Sequence, residues 1–127
     1  MKALLDTHTF LWAISDDARL SSRAAEVFVG PADLWFSVAS IWEILIKAKM
    51  GKIPLPSPVG PYILKKMREN LIEVLPVGLD HVLRVETLPS HHSDPFDRIL
   101  IAQGLEEKLP IVTADRAFSS YPVQIIW

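Results

Sequence analysis

Ala3-Leu4-Leu5-Asp6-Thr7-His8-Thr9-Phe10-Leu11-Trp12 decides how the rest of this chain is read. Three consecutive apolar residues, Ala3 to Leu5, suit a strand covered on both faces, as in a parallel sheet flanked by helices. Asp6 ends that run, and the residues after it offer Thr7 as a helix N-cap followed by an apolar helical stretch. Asp6 is therefore expected at the carboxyl end of a strand, the edge at which open α/β sheets bind ligands. What the protein does depends on which other residues reach that edge.

Downstream, short apolar runs alternate with helical spacings. Ser21 caps a helix that runs to Val29 and is stopped by Gly30-Pro31, and Leu34 to Val38 reads as a second strand. Ser37 or Ser40 opens a longer helix in which Ile41, Trp42, Leu45, Ile46 and Ala48 have the spacing of a buried face. Prolines and glycines between Gly51 and Pro61 force a loop, and Pro61 to Asn70 reads as a helix with its bases outward. Leu71 to Val77 has the alternation of a strand, Asp80 caps a short helix to about Thr87, and Pro89 to Ser93 is a loop holding His91 and His92. Asp94-Pro95 has the pattern of an N-cap acid with proline at the first helical position. Phe96, Ile99, Leu100 and Gln103 mark one side of that helix, with Gly104 near its end. Pro110 to Thr113 is expected as a strand, Ala114 to Ser119 as a short helix and Val123 to Trp127 as the last strand. Such alternation argues for one α/β domain spanning residues 1–127, with a parallel sheet between helical layers.

Bulk properties narrow the classes. The chain has 127 residues, enough for one core, and half of them are hydrophobic. No apolar run approaches the length of a membrane span, and the N-terminus enters a strand pattern without the regions of a signal peptide, so a cytoplasmic location is expected. With no cysteine, disulfides and thiolate metal sites are ruled out. The formal charge of −2 gives no general attraction to nucleic acid, yet it is unevenly spread. Lys47, Lys49, Lys52, Lys65, Lys66 and Arg68 fall in one segment that contains no acid. This is either a solvated face or a place for a polyanion.

Four acids are expected at one edge. Asp6 follows the first strand, Glu43 lies in the helix after the second, Asp97 is in the first turn of the helix begun by Asp94, and Asp115 follows Ile111-Val112-Thr113. Each has a structural explanation of its own: Ser40-Ile41-Trp42-Glu43 fits a capping box, Asp97 favours a helix dipole and Asp115 can cap the last helix. Convergence of separate elements on one edge is harder to explain that way. Two charges about 5 Å apart repel by roughly 3 kcal/mol at an effective dielectric of 20, so such a group calls for a cation. Oxygen ligands without thiolates point to Mg²⁺ or Mn²⁺, ions that commonly bind phosphate oxygens as well. A phosphoester substrate is the economical expectation. His8 is near enough to Asp6 to touch such a substrate, whereas His91 and His92 read as loop surface. There is neither a Gly-x-Ser-x-Gly elbow nor a glycine-rich phosphate loop.

These residues resemble a family. Leu5-Asp6-Thr7-His8-Thr9-Phe10-Leu11-Trp12, Ser40-Ile41-Trp42-Glu43-Ile44 with Lys47 and Gly51-Lys52-Ile53, Asp94-Pro95-Phe96-Asp97-Arg98-Ile99-Leu100-Ile101-Ala102-Gln103 and Val112-Thr113-Ala114-Asp115 are similar to PIN-domain ribonucleases, and most of all to VapC-like toxins of bacterial toxin–antitoxin pairs. The resemblance implies an α/β/α sandwich around a parallel sheet and Mg²⁺- or Mn²⁺-dependent endonucleolytic cleavage of RNA. Asp6, Glu43, Asp97 and Asp115 match the family's acidic positions. On this reading Asp6 and Asp97 hold the metal directly, and Glu43 and Asp115 ligate it, orient its waters or hold a second ion. Asp94 is an additional acid that serves at least as the N-cap, and Thr113 orients Asp115. The resemblance also implies a homodimer and a small VapB-like antitoxin whose tail lies over the acidic groove. RNA would lean on the basic segment, Lys47, Lys49 and Lys52 first.

Two other classes fit the residues less well. A haloacid-dehalogenase-type phosphatase also places its nucleophilic Asp after the first strand but wants a second Asp two residues on, where this chain has His8. A PIN-like interaction module without catalysis would be expected to lose acids, and all four are retained.

Overall fold

Ala3 and Leu5 point to one side of the sheet and Leu4 to the other, and each is wholly buried because both sides carry helices. The structure, a computed structural model, describes every residue from Met1 to Trp127. Strand β1 (Lys2–Leu5) is central in a five-stranded sheet of order β3-β2-β1-β4-β5, with β2 (Asp33–Ser37), β3 (Ile72–Leu75), β4 (Ile111–Val112) and β5 (Ile125–Ile126). Every pairing is parallel. Phe10, Ala24, Ile44, Ile63 and Met67, from α1 (Thr7–Ile14), α2 (Ser22–Val29), α3 (Val38–Lys49) and α4 (Val59–Glu69), cover one face. The other face is covered by Leu100, Ile101 and Ala102 of α6 (Pro95–Glu107), with Leu88 after α5 (Leu79–Thr87) and Phe118 of a 3₁₀ turn (Arg116–Ser120). This is the expected α/β/α sandwich.

Topology fixes where a site can form. From β1 the chain moves outward to β2 and β3, then crosses back to place β4 on the other side of β1. The crevice between the carboxyl ends of β1 and β4 is thus the switch point of the sheet, the place where such folds bind ligands. Gly104 keeps α6 close over β4. A Cβ there would lie 3.0 Å from side-chain atoms of both Ile111 and Val123.

Local chemistry differs from the sequence expectations at several points. Asp6 itself, and not Thr7, caps α1. α3 starts at Val38 under Ser37, whose Oγ accepts from the Ala39 N–H at 3.0 Å, so Ser40 is inside the helix and no Ser40–Glu43 capping box exists. The same helix buries Ala39, Ser40, Glu43 and Ile44, while Trp42, Leu45 and Ile46 are exposed, Trp42 by 60%. Ile44 enters the core with Ile41 packed against it, beside the buried Glu43, which leaves Trp42, Leu45 and Ile46 on the outward side. Gly78, and not Asp80, caps α5, with the His81 ring reaching back to the Gly78 N–H. In β3 the pattern is not alternating: Ile72 and Leu75 are buried and Glu73 and Val74 are exposed, as befits an edge strand. β4 and β5 are two residues each, shorter than their apolar runs, and the helix expected over Ala114 to Ser119 is the 3₁₀ turn.

Candidate metal centre

Asp6 is where the end of β1 is sewn to the end of β4. Its Oδ1 accepts from the Thr9 N–H at 2.7 Å, which caps α1, and its Oδ2 accepts from the Thr113 hydroxyl at 2.5 Å. Thr113 Oγ1 in turn accepts from the Asp115 N–H at 3.0 Å, and the Thr9 hydroxyl donates to the Val112 carbonyl at 2.8 Å. Thr113 therefore orients both acids: Asp6 through its proton and the Asp115 main chain through its lone pair. Burial pushes the Asp6 carboxyl above its ordinary value, while the bonds from Thr113 and Thr9 pull against that rise.

Glu43 enters the same crevice from α3 and is only 3% exposed. It accepts from the Thr7 hydroxyl at 2.7 Å and from the Lys47 ammonium one helical turn on at 2.5 Å. That contact raises the Lys47 pKa. Lys47 is thus tied to the acidic centre, while Lys49 and Lys52 stand exposed and Lys65 and Lys66 both approach Glu69.

The acids at the start of α6 and after β4 are more open. Asp94 Oδ1 accepts from the Phe96 and Asp97 N–H groups at 2.8 and 3.1 Å, the N-cap geometry its sequence announces. Asp97, one turn into α6, is free to face the crevice. Burial drives its carboxyl up to about 7, and the nearby charge of Asp94 adds to the rise, with smaller contributions from Glu43 and Asp6 and an opposing one from His92. Asp115 caps the 3₁₀ turn through Oδ1, which accepts from the Ala117 N–H at 2.9 Å. Its Oδ2 is 3.0 Å from His92 Nε2, which is also 3.0 Å from Asp97 Oδ2. Ligand atoms of His92, Asp97 and Asp115 all lie within 4.8 Å of one another.

His92 corrects the expectation of loop surface, since its side chain is only 14% exposed and bridges two acids. A histidine in an irregular loop has no periodicity to announce its neighbours, and the only signal is its place two residues before Asp94. Thr7 is likewise unmarked, because only the approach of α3 to α1 supplies Glu43 as its partner. His8 is exposed beside Trp12, with ring centroids 5.9 Å apart.

The donor set suits a hard divalent cation. Asp97 and Asp115 bring carboxylate oxygens within 4.8 Å of each other, Asp6 and Glu43 are near enough to Asp97 to raise its pKa, and the fixed positive charge beside them is Lys47.

Comparisons with known proteins bear on the family and the fold. Over 119 residues the chain is 28% identical to ribonuclease VapC22 of Mycobacterium tuberculosis, covering 93% of this chain and 90% of that protein. The fold is shared with VapBC2 of Rickettsia felis bound to a promoter DNA fragment, at a TM-score of 0.69 and 14% identity over 98% of this chain and 97% of the other. It is shared also with a toxin–antitoxin complex from Klebsiella pneumoniae, at a TM-score of 0.63 and 17% identity over 94% and 92% of the two chains. The family model for the PIN domain matches residues 3–124, so the likeness first carried by the acidic motifs extends over almost the whole chain, which belongs to the PIN domain family.

Proposed function

We propose that this protein, as one nuclease domain spanning residues 1–127, is a divalent-metal-dependent endoribonuclease that hydrolyses RNA phosphodiester bonds and is the toxin of a toxin–antitoxin pair. The reading is carried by the acids grouped around Asp97, which His92 bridges to Asp115 and whose carboxyl is raised to about 7 by burial first and then by the charges of Asp94, Glu43 and Asp6. Asp6 and Asp97 would hold Mg²⁺ or Mn²⁺ directly, and Glu43 and Asp115 would ligate it, orient its waters or hold a second ion. When bound, such an ion stabilises charge on the phosphoryl oxygens and acidifies a water for attack. The protein's own work is positioning: Thr113 and the Thr9 N–H aim Asp6, Thr7 and Lys47 aim Glu43, and the cap at Asp94 fixes the first turn of α6 from which Asp97 projects.

RNA as substrate is supported by the ribonuclease among the relatives and by Lys49 and Lys52, exposed bases on the loop side of α3 next to Lys47. A small VapB-like antitoxin is the proposed regulator, supported by the neighbouring folds that come from toxin–antitoxin complexes. We also infer a homodimer, formed through the apolar cleft of about 410 Å³ between α3, α5 and α6, where Trp42 packs edge-on against Phe96 with centroids 5.4 Å apart. Val38, Trp42 and Val82, which line the cleft, all stand exposed, and this supports a covering partner there. No helix is long and apolar enough to cross a membrane, and the proposed place of action is the cytoplasm.

Incubating RNA with the wild type and with Asp6→Asn, each with and without Mg²⁺, tests the activity. Cleavage by the wild type in Mg²⁺ alone is the expected outcome. Equal cleavage by Asp6→Asn, or cleavage indifferent to chelator, would sink the proposal.

A further inference from the structure

Asp97 and Asp115 come from different elements, and His92 is the side chain that touches both, with Nε2 3.0 Å from each Oδ2. The other ring nitrogen is already engaged: the Asp94 main-chain N–H points at Nδ1 from 3.2 Å. A backbone N–H can only donate, so Nδ1 presents a lone pair and the proton of the neutral ring sits on Nε2. Nε2 then has no lone pair for a metal. It is a donor shared by two carboxylates.

The loop that carries His92 is held with unusual thoroughness. Arg98 Nη1 donates to the carbonyls of Pro89 and His92 at 3.0 and 3.2 Å, and Nη2 donates to those of Val85 and Leu88 at 3.1 and 3.3 Å. The Tyr121 hydroxyl accepts from the N–H groups of His91 and His92 at 3.1 and 2.9 Å and donates to the Pro89 carbonyl at 2.7 Å. Arg98 has no carboxylate partner even though it lies one residue from Asp97. Its donors go to main-chain carbonyls between residues 85 and 92 and, at 3.4 Å, to the Tyr121 hydroxyl.

We propose that His92 is a positioning residue for the reaction put forward above: its Nε2–H ties Asp97 to Asp115, and the Arg98–Tyr121 clamp keeps it there, so that two acids from separate elements hold their spacing before an ion arrives. This rests on the metal reading, because that spacing matters only if both acids serve one ion. Removal of such outer partners commonly weakens metal binding by about 10- to 100-fold.

Calorimetric titration of the full chain with Mn²⁺ alone, at one fixed pH, tests the proposal on the wild type, His92→Ala and His92→Gln. The Gln amide N–H reaches the position of Nε2–H, so His92→Ala is expected to bind about 10-fold more weakly or worse, and His92→Gln to recover most of the loss. In the metal-free wild type, ¹⁵N–¹H spectra of the ring should show a bare Nδ1 and a protonated Nε2. The positioning role is overturned if His92→Ala binds Mn²⁺ as tightly as the wild type or more tightly, if His92→Gln is no better than His92→Ala, or if Nδ1 carries the proton. A wild type that takes up no Mn²⁺ overturns the metal reading and the positioning role with it, whereas loss of the positioning role alone shows as variants that bind equally.

Discussion

The two ends of the acidic crevice are built on opposite terms. At the deep end, Asp6 and Glu43 are 6% and 3% exposed, and each carboxylate has partners of its own: Thr9 and Thr113 for Asp6, Thr7 and Lys47 for Glu43. At the open end, the side chains of Asp97 and Asp115 are 23% and 41% exposed, and what joins them is His92. Burial without partners is costly for a charge, so the deep end has to be satisfied by the fold itself. Partial exposure lets the open end persist underneutralised and accept a cation later. One site thus combines acids whose hydrogen bonds the fold supplies with an acid, Asp97, whose charge the fold leaves poorly compensated.

The sharpest test of that contrast is a pair of truncations. Asp6→Ala removes the α1 cap, worth about 1 kcal/mol, and strands the buried Thr113 hydroxyl at a cost of roughly 1–3 kcal/mol. Asp97→Ala removes a repelling charge and should leave the metal-free fold as stable as the wild type or more so. Both variants should be inactive on RNA. Urea unfolding without added metal reads the difference, and equal destabilisation by the two would erase the distinction between the ends.

Metal should compensate the open end. At about 100 times its dissociation constant, one Mn²⁺ or Mg²⁺ is expected to stabilise the fold by about 2.7 kcal/mol. Asp97→Asn should abolish most of that gain while starting from an undiminished metal-free stability. A melting temperature that ignores both ions, with no uptake in a titration, would argue that the carboxylates do not form a site.

A pH series sharpens the same point. The Asp97 carboxyl stands at about 7 in the folded chain against an ordinary value of 3.8, so between these values the native state keeps a proton that the unfolded chain has lost. Stability must then fall as pH rises from about 4 through 7 on account of Asp97, and the raised Asp6 pKa acts in the same direction. Asp97→Asn should flatten the decline, and so should saturating metal, which replaces the proton. Thermal melts across this range that show stability rising with pH in the metal-free wild type, unchanged by Asp97→Asn, would contradict the assignment.

The smallest effect is expected at Asp94. Its Oδ1 serves the Phe96 and Asp97 N–H groups, and Asn caps a helix as well as Asp, so Asp94→Asn should change stability by no more than about 0.5 kcal/mol and retain much of the activity. An Asp94→Asn enzyme that is dead, beside an active Asp97→Asn, would exchange the roles of the two acids.

By itself the sequence determined the layers and pointed to the address of the proposed site. Ala3-Leu4-Leu5 could be buried on both sides only in a covered parallel sheet, and Asp94-Pro95 announced both the start of α6 and, three residues on, the acid that faces the crevice. Such signals are local: apolar runs, caps and breakers act within a few residues, and the order β3-β2-β1-β4-β5 lay beyond them because no local pattern says which strands pair. Tertiary structure alone decided that Trp42, Leu45 and Ile46 face outward, since helical spacing reports an apolar stripe but not what will stand against it. It decided too that Lys47 belongs to Glu43, that Thr113 joins Asp6 to Asp115, and that His92 leaves its loop to bridge Asp97 and Asp115. Thr113 reaches Asp6 across 107 sequence positions and His92 reaches Asp115 across 23, and a polar group away from water takes whatever partner the packed elements bring within about 3 Å.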